Sequence, residues 1–103
     1  MKRKSVVFIV ILALAATGLF AADGAAIYKA KCATCHGPDG TGLTSMGKAM
    51  KLRDLGTADV QKQTDKELFT LTADGKGKMP AYKGKLSDEE INALVTFMRT
   101  LKK

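Results

Sequence analysis

The stretch Cys32-Ala-Thr-Cys35-His36 decides how this chain folds, because it has the C-x-x-C-H spacing by which c-type haem is attached. Two cysteines three positions apart at the end of a helix can reach the two vinyl groups of one haem, where their thiols add to form thioethers. The next residue then presents an imidazole nitrogen to the iron. The stretch therefore predicts one covalent haem c, bound through Cys32 and Cys35, with His36 as an iron ligand.

Three other kinds of site compete for the same residues. A thioredoxin-like redox pair belongs beside a strand in a βαβ unit, whereas a helical pattern precedes Cys32. Structural zinc takes four ligands, and the chain has no Cys or His beyond Cys32, Cys35 and His36. A disulfide would suit an exported protein, but one between such close cysteines constrains little. Haem attachment is the favoured interpretation.

Haem iron commonly takes a second axial ligand opposite the histidine. His36 is the only histidine, which excludes a second one from the same chain. Methionine is the natural candidate, and four methionines lie beyond residue 22: Met46, Met50, Met79 and Met98. Met46 and Met50 follow His36 too closely to cross easily to the opposite haem face. Met98 falls on the apolar stripe of the last predicted helix, where a methionine usually fills the core.

Met79 is the methionine that the backbone favours as the second ligand. It lies 43 residues after His36, which is enough chain to pass round a haem ring, and it falls on a glycine-rich loop. Pro80 biases it towards an extended backbone, which helps to aim the side chain. The sequence therefore predicts His36 and Met79 as the two iron ligands.

The first 21 residues predict a secretory signal peptide. Residues 2–4 are basic, residues 6–16 are apolar, and residues 17–21 are small residues mixed with the bulky Leu19 and Phe20. We expect cleavage after Ala21, or else after Ala22, so that residues 22–103 form a single haem-binding domain. An uncleaved anchor stays open as the alternative, because the apolar run is at the short end of what spans a bilayer.

The predicted mature domain is small and mildly basic. Loss of residues 2–4 lowers the formal net charge from +7 to +4, which favours acidic partners. Nucleic-acid binding is not expected, because basic and acidic residues alternate and export removes the chain from cytoplasmic nucleic acid. So short a domain buries only a thin core, and a bound cofactor would supply the missing bulk. We therefore expect the haem-free chain to be largely unfolded.

The secondary structure predicted for this domain is helical. Asp23 predicts the N-cap of a first helix that runs to about Ala33, and the turn residues at 37–42 predict a loop. A short helix within residues 45–52 has weaker support. No stretch alternates between polar and apolar residues as a half-buried strand would.

Two capping boxes predict the remaining helices. The first, Thr64-Asp-Lys-Glu67, predicts a helix to about Ala73, and the second, Ser87-Asp-Glu-Glu90, predicts one to about Leu101. Five apolar residues share one face of the last helix: Ile91, Leu94, Val95, Met98 and Leu101.

These segments together resemble the class I c-type cytochromes, in particular the small soluble bacterial ones. Residues 32–37 look like the haem-attachment segment of that family, residues 74–82 like its methionine loop, and residues 86–101 like its C-terminal helix. The resemblance implies an all-α fold of three to four helices wrapped round one haem, with the first and last helices crossing. Four residues would meet near that crossing: Gly24, Tyr28, Leu94 and Phe97.

One family feature has no counterpart in this sequence. Many members carry a proline after the attachment loop whose carbonyl orients the axial histidine. Here Pro38 lies unusually close to His36, and no later proline precedes Pro80. The sequence therefore does not identify an acceptor for the His36 ring N–H.

An iron with both axial positions filled by protein suits electron transfer, because no position is open for a substrate. Methionine favours Fe(II) and so raises the reduction potential. We predict a one-electron carrier that is not an enzyme. Two alternatives stay open: a ligand-binding sensor or peroxidase-like enzyme in which Met79 detaches, and a small electron-transfer subunit of a larger oxidoreductase.

The predicted carrier is a periplasmic or otherwise exported monomer that exchanges electrons with other redox proteins. Four lysines flank Met79: Lys76, Lys78, Lys83 and Lys85. They favour partners with acidic docking surfaces, and an ordinary solvated surface explains them equally well. Membrane contact is expected only through partners or an uncleaved anchor.

Overall fold

A computed structural model describes residues 22–103, and the predicted signal peptide lies outside the described residues. Six helices occur in this range: α1 (Gly24–Lys31), α2 (Ala33–His36), α3 (Ser45–Met50), α4 (Ala58–Gln61), α5 (Asp65–Asp74) and α6 (Asp88–Arg99). The elements α2 and α4 are single turns of four residues each. The predicted all-α class is confirmed, since isolated bridges take the place of strands in this range.

The longer helices begin at the capping residues that the sequence marks. Asp23 accepts a hydrogen bond of 3.1 Å from the backbone N–H three residues on, at the start of α1. At α5, the Thr64 hydroxyl accepts from the Glu67 N–H, and the Glu67 carboxylate accepts from the Thr64 N–H. Ser87 and Glu90 form the same reciprocal pair at α6. Both predicted capping boxes are therefore present.

The first and last helices pack against each other, as the resemblance implies. The ring centroids of Tyr28 and Phe97 are 4.9 Å apart, and Leu94 is buried beside them. Gly24 lies directly against the backbone of Ala93, so the two helices approach each other closely here. This crossing forms the centre of the main apolar core.

We expect Gly24→Ala to destabilise the haem-bound protein by about 2 kcal/mol, in the range of an overpacked core. A Cβ at position 24 would overlap the carbonyl oxygen of Ala93 and stand 2.8 Å from its carbonyl carbon. Guanidinium unfolding of the holoprotein measures the loss. Ala25→Val on the exposed face of α1 is the control, and a Gly24→Ala variant as stable as this control would contradict the predicted contact.

A second buried cluster is made by Val60, Leu68 and Val95. Leu55 and Phe69 pack against both clusters and so join them. Val60 lies on α4, a turn that the sequence analysis missed. Its position matters because it forms part of a wall of the cleft described below.

Within residues 22–103, no helix combines the length and the apolar character that crossing a membrane requires.

Candidate haem site

Two adjoining clefts open between the helices, and Cys32, His36 and Met79 line both of them. The first cleft encloses about 540 Å³ and the second about 410 Å³, with space open to solvent included. The structure thus brings the predicted residues of the attachment motif and the methionine loop to one place.

The walls of both clefts are mainly apolar. The first is lined by side chains from both core clusters, including Tyr28, Leu94, Val60 and Leu68. The described charged residues that line either cleft are all basic: Lys31, Arg53 and Lys78. An apolar slot with a few polar groups and no carboxylate suits a large flat hydrophobic ring that carries anionic substituents.

The attachment motif lies at the junction of α1 and α2. The Cys32 N–H still donates to the Tyr28 carbonyl at 2.8 Å, and the Cys32 carbonyl accepts from the His36 N–H at 3.0 Å. The two cysteines are therefore held on consecutive turns of nearly continuous helix. Both side chains are half-buried free thiols. Burial, together with the nearby Cys35, raises the pKa of the Cys32 thiol to about 11.

His36 lies at the end of α2, and its ring is partly enclosed. Burial holds the pKa of His36 below its usual value, so the neutral imidazole that binds metals is favoured. The ring Nδ1 is buried and has no hydrogen-bond partner within residues 22–103. The sequence left this acceptor open, and the described part of the chain does not supply one.

Met79 is presented by a tight turn that follows α5. The Lys76 N–H donates to the Met79 carbonyl at 3.1 Å, and the Met79 N–H donates to the Lys76 carbonyl at 2.9 Å. Gly75, with φ of +75°, lies so close that a Cβ there would stand 2.6 Å from the Met79 carbonyl oxygen. Only glycine fits this left-handed and crowded position. The turn is therefore seated firmly against the end of α5.

The other methionines are placed differently. Met46 is 45 % exposed and lines neither cleft. Met50 lines only the second cleft, and Met98 lines only the first, where it packs against the second core cluster. Met79 is thus the methionine that faces both clefts together with His36.

Several cleft residues were not predicted from the sequence. Arg53, Leu55 and Gln63 line the first cleft, and Leu52 lines the second. All of them belong to the middle segment, in which helical periodicity is weak, so no local signal could have identified them.

The properties of this site fit a covalent haem c. Two free thiols, one imidazole and the Met79 thioether lie along two adjoining apolar clefts. In the described range, no three His, Cys, Asp or Glu side chains converge as a zinc or other metal site would require. The thioredoxin-like alternative lacks its neighbouring strand in the same range.

Comparisons with known proteins identify the family of this chain. The family model described as cytochrome c oxidase, cbb3-type, subunit III matches residues 20–98. The cytochrome c6 of Microcystis aeruginosa is 36% identical over 76 residues, covering 74% of this chain and 90% of the relative. The cbb3-type cytochrome c oxidase subunit FixP of Azorhizobium caulinodans is 36% identical over 81 residues, covering 79% of this chain and 27% of FixP.

Among solved structures, the KustC0563 c-type cytochrome superposes with a TM-score of 0.73 and 36% identity, covering 79% of this chain and 99% of that chain. Sequence and fold therefore lead to the same family. The chain belongs to the class I c-type cytochromes, which carry electrons on a covalently bound haem c.

Proposed function

We propose that Cys32 and Cys35 hold the haem of this electron carrier through thioethers, and that His36 and Met79 bind its iron. The observation that carries the proposal is that Cys32, His36 and Met79 line both apolar clefts. When bound, the haem supplies an iron that gains or loses one electron. The apolar lining would keep water away from the haem, and the neutral imidazole and thioether would add no negative charge to offset the extra positive charge of Fe(III), which would favour Fe(II).

Each proposed ligand has a structural reason for its role. Partial burial lowers the pKa of His36 and so favours the neutral imidazole that binds a metal. Met79 is held by its own turn and by the close approach of Gly75, so its sulfur has a defined place. With His36 and Met79 both bound, the iron would have no open position for small molecules. This supports electron transfer over the sensor and the peroxidase-like enzyme.

We expect the reduced holoprotein to bind carbon monoxide neither rapidly nor stoichiometrically at neutral pH, because Met79 would occupy the position that the gas needs. Absorption spectra recorded under carbon monoxide measure this. The Met79→Ala holoprotein is the positive control, since removal of the thioether should open the iron. Rapid, stoichiometric binding by the unmodified protein would instead support a sensor or an enzyme.

The lysines around Met79 support the proposal of an acidic docking partner. Lys76, Lys78, Lys83 and Lys85 are all exposed, and Lys78 lines the second cleft with Lys31. Carboxylates are absent from the described lining of both clefts. A positive field at this opening would steer an acidic surface towards the haem.

We expect Lys76→Glu/Lys78→Glu to slow oxidation of the reduced protein by the hexacyanoferrate(III) anion about tenfold at low salt, because the local attraction becomes repulsion. Stopped-flow measurements over a series of salt concentrations test this, and the difference should shrink as salt rises. Lys29→Glu/Lys62→Glu changes the total charge equally but lies outside both clefts. Equal slowing in both variants would leave the four lysines as ordinary surface.

A role as a subunit is the second candidate, and it rests on the family model named for an oxidase subunit. The same site would then pass electrons within an assembly. Copurification of a larger oxidoreductase with this chain at native expression would support it.

We also propose that the protein works as an exported monomer, which the mass and the sedimentation of the purified periplasmic protein would test.

A further inference from the structure

Three successive backbone carbonyls around His36 each accept a hydrogen bond from outside α2. The Cys35 carbonyl accepts from the Thr44 hydroxyl at 2.7 Å. The His36 carbonyl accepts from the Gly42 N–H at 2.8 Å. The Gly37 carbonyl accepts from the Tyr28 hydroxyl at 2.6 Å. Side chains from other segments therefore hold the peptide group before His36 and the one after Gly37, and the Gly42 main chain holds the peptide group between them.

The two side-chain donors are themselves held firmly. Tyr28 is 3% exposed, and its ring packs on Phe97 at the crossing of α1 and α6. The Thr44 hydroxyl also accepts from the Gly47 N–H at 2.9 Å, as the N-cap of α3. Tyr28 thus ties the Gly37 carbonyl to the main core, and Thr44 ties the Cys35 carbonyl to the next helix.

This arrangement matters because the His36 ring lacks the usual restraint. A ligating histidine commonly donates its second ring N–H to an acceptor that fixes the ring orientation. Here Nδ1 is buried, and residues 22–103 provide no acceptor for it. The orientation of the imidazole in the cleft must then depend on how firmly its backbone is held.

We propose that Tyr28 and Thr44 are positioning residues for the axial histidine, Thr44 acting through the Cys35–His36 peptide group and Tyr28 through the Gly37–Pro38 peptide group. The inference rests on the proposed function in one respect, namely that His36 binds the iron. It adds that the ring is oriented through its backbone. Neither side chain is required to touch the haem for this role.

Conservative substitutions separate this role from packing. Tyr28→Phe removes one hydroxyl and keeps the ring that packs on Phe97, and the Gly37 carbonyl keeps a bond of 3.1 Å from the Gly40 N–H. Thr44→Val removes the hydroxyl with little change of shape, whereas Thr44→Ser restores it. Thr57→Val is a control for loss of a threonine hydroxyl elsewhere, because that hydroxyl donates to the Asp54 carbonyl and caps no helix N–H.

The experiment uses haem-loaded proteins and two measurements: the hyperfine-shifted proton resonances of the His36 ring in the oxidised state, and the reduction potential. Tyr28→Phe and Thr44→Val should each shift the ring resonances and change the potential. Thr44→Ser and Thr57→Val should resemble the unmodified protein. The double variant should show a change that differs from the sum of the single changes, since both residues act on one ring.

The outcomes distinguish the inference from the proposed function. If the His36 ring of the unmodified protein shows no hyperfine shift, His36 is not a ligand, and both fail. If that shift is present but Thr44→Val and Tyr28→Phe leave the resonances and potential unchanged, only the positioning role is wrong. Should Tyr28→Phe not fold, the comparison of Thr44→Val with Thr44→Ser decides, and equal spectra for those two would overturn the inference.

Discussion

The Met79→Ala holoprotein is expected to lose the thioether–iron absorption band near the red end of the oxidised spectrum. The band depends on sulfur bound to iron, and Met79 is the methionine that faces both clefts with His36. Loss of that ligand also removes a group that favours Fe(II), so the reduction potential should fall. The fall should be on the order of a quarter of the roughly 0.8 V range over which axial ligands tune haem proteins.

The other methionines provide matched controls for this experiment. Met98→Leu keeps an apolar side chain of similar volume packed against the second core cluster. Met46→Ala changes an exposed side chain. Both should keep the band and a potential close to that of the unmodified protein. Met50→Ala is the stricter control, because Met50 lines the second cleft. If the band survives in Met79→Ala and disappears in Met50→Ala, the ligand assignment is wrong.

The Cys32→Ala/Cys35→Ala chain, made without attached haem, is expected to be largely unfolded at 25 °C. The first cleft is lined by residues of both core clusters, including Leu94, Val60 and Leu68. Without a ring in the cleft, these side chains would border an apolar void, and a domain of this size has little other core to compensate. Haem attachment and folding should therefore be thermodynamically coupled, as metal binding and folding are in small metalloproteins.

Far-UV circular dichroism measures this expectation, with mass spectrometry to establish whether haem is attached. The unmodified protein, made in cells able to attach haem, should show the full helical signal and a cooperative thermal transition. A Ser45→Ala holoprotein, changed at an exposed position, should behave in the same way. A haem-free double variant with an undiminished helical signal and a cooperative transition would show that the core is sufficient without the cofactor.

The parts of the fold that could be predicted are those encoded by neighbouring residues. The capping boxes at Thr64 and Ser87 each close within four residues, so they are visible in the sequence and present in the structure. The C-x-x-C-H spacing is equally local, and the comparisons confirm the haem c that it predicts. The turn at Met79 could be expected from its glycines, although its reciprocal hydrogen bonds could not.

The middle segment could not be predicted, because contacts distant in sequence hold it. The Arg99 side chain on α6 donates to the Gln61 carbonyl at 2.8 Å and to the Gln63 carbonyl at 2.6 Å. It also contacts the Asp65 carboxylate at 2.8 Å. These bonds place α4 and the start of α5 against the last helix. A local pattern cannot reveal them, since the partners lie more than thirty positions apart.

The reciprocal bonds of the turn from Lys76 to Met79 use only main-chain atoms, and the lysine side chains at 76 and 78 project from it into solvent. The backbone sets where the sulfur lies, while those side chains set the electrical character of the adjoining surface. The two properties can therefore change independently. Substitution of the lysines at 76 and 78 could therefore direct this carrier to a differently charged partner without moving the redox centre.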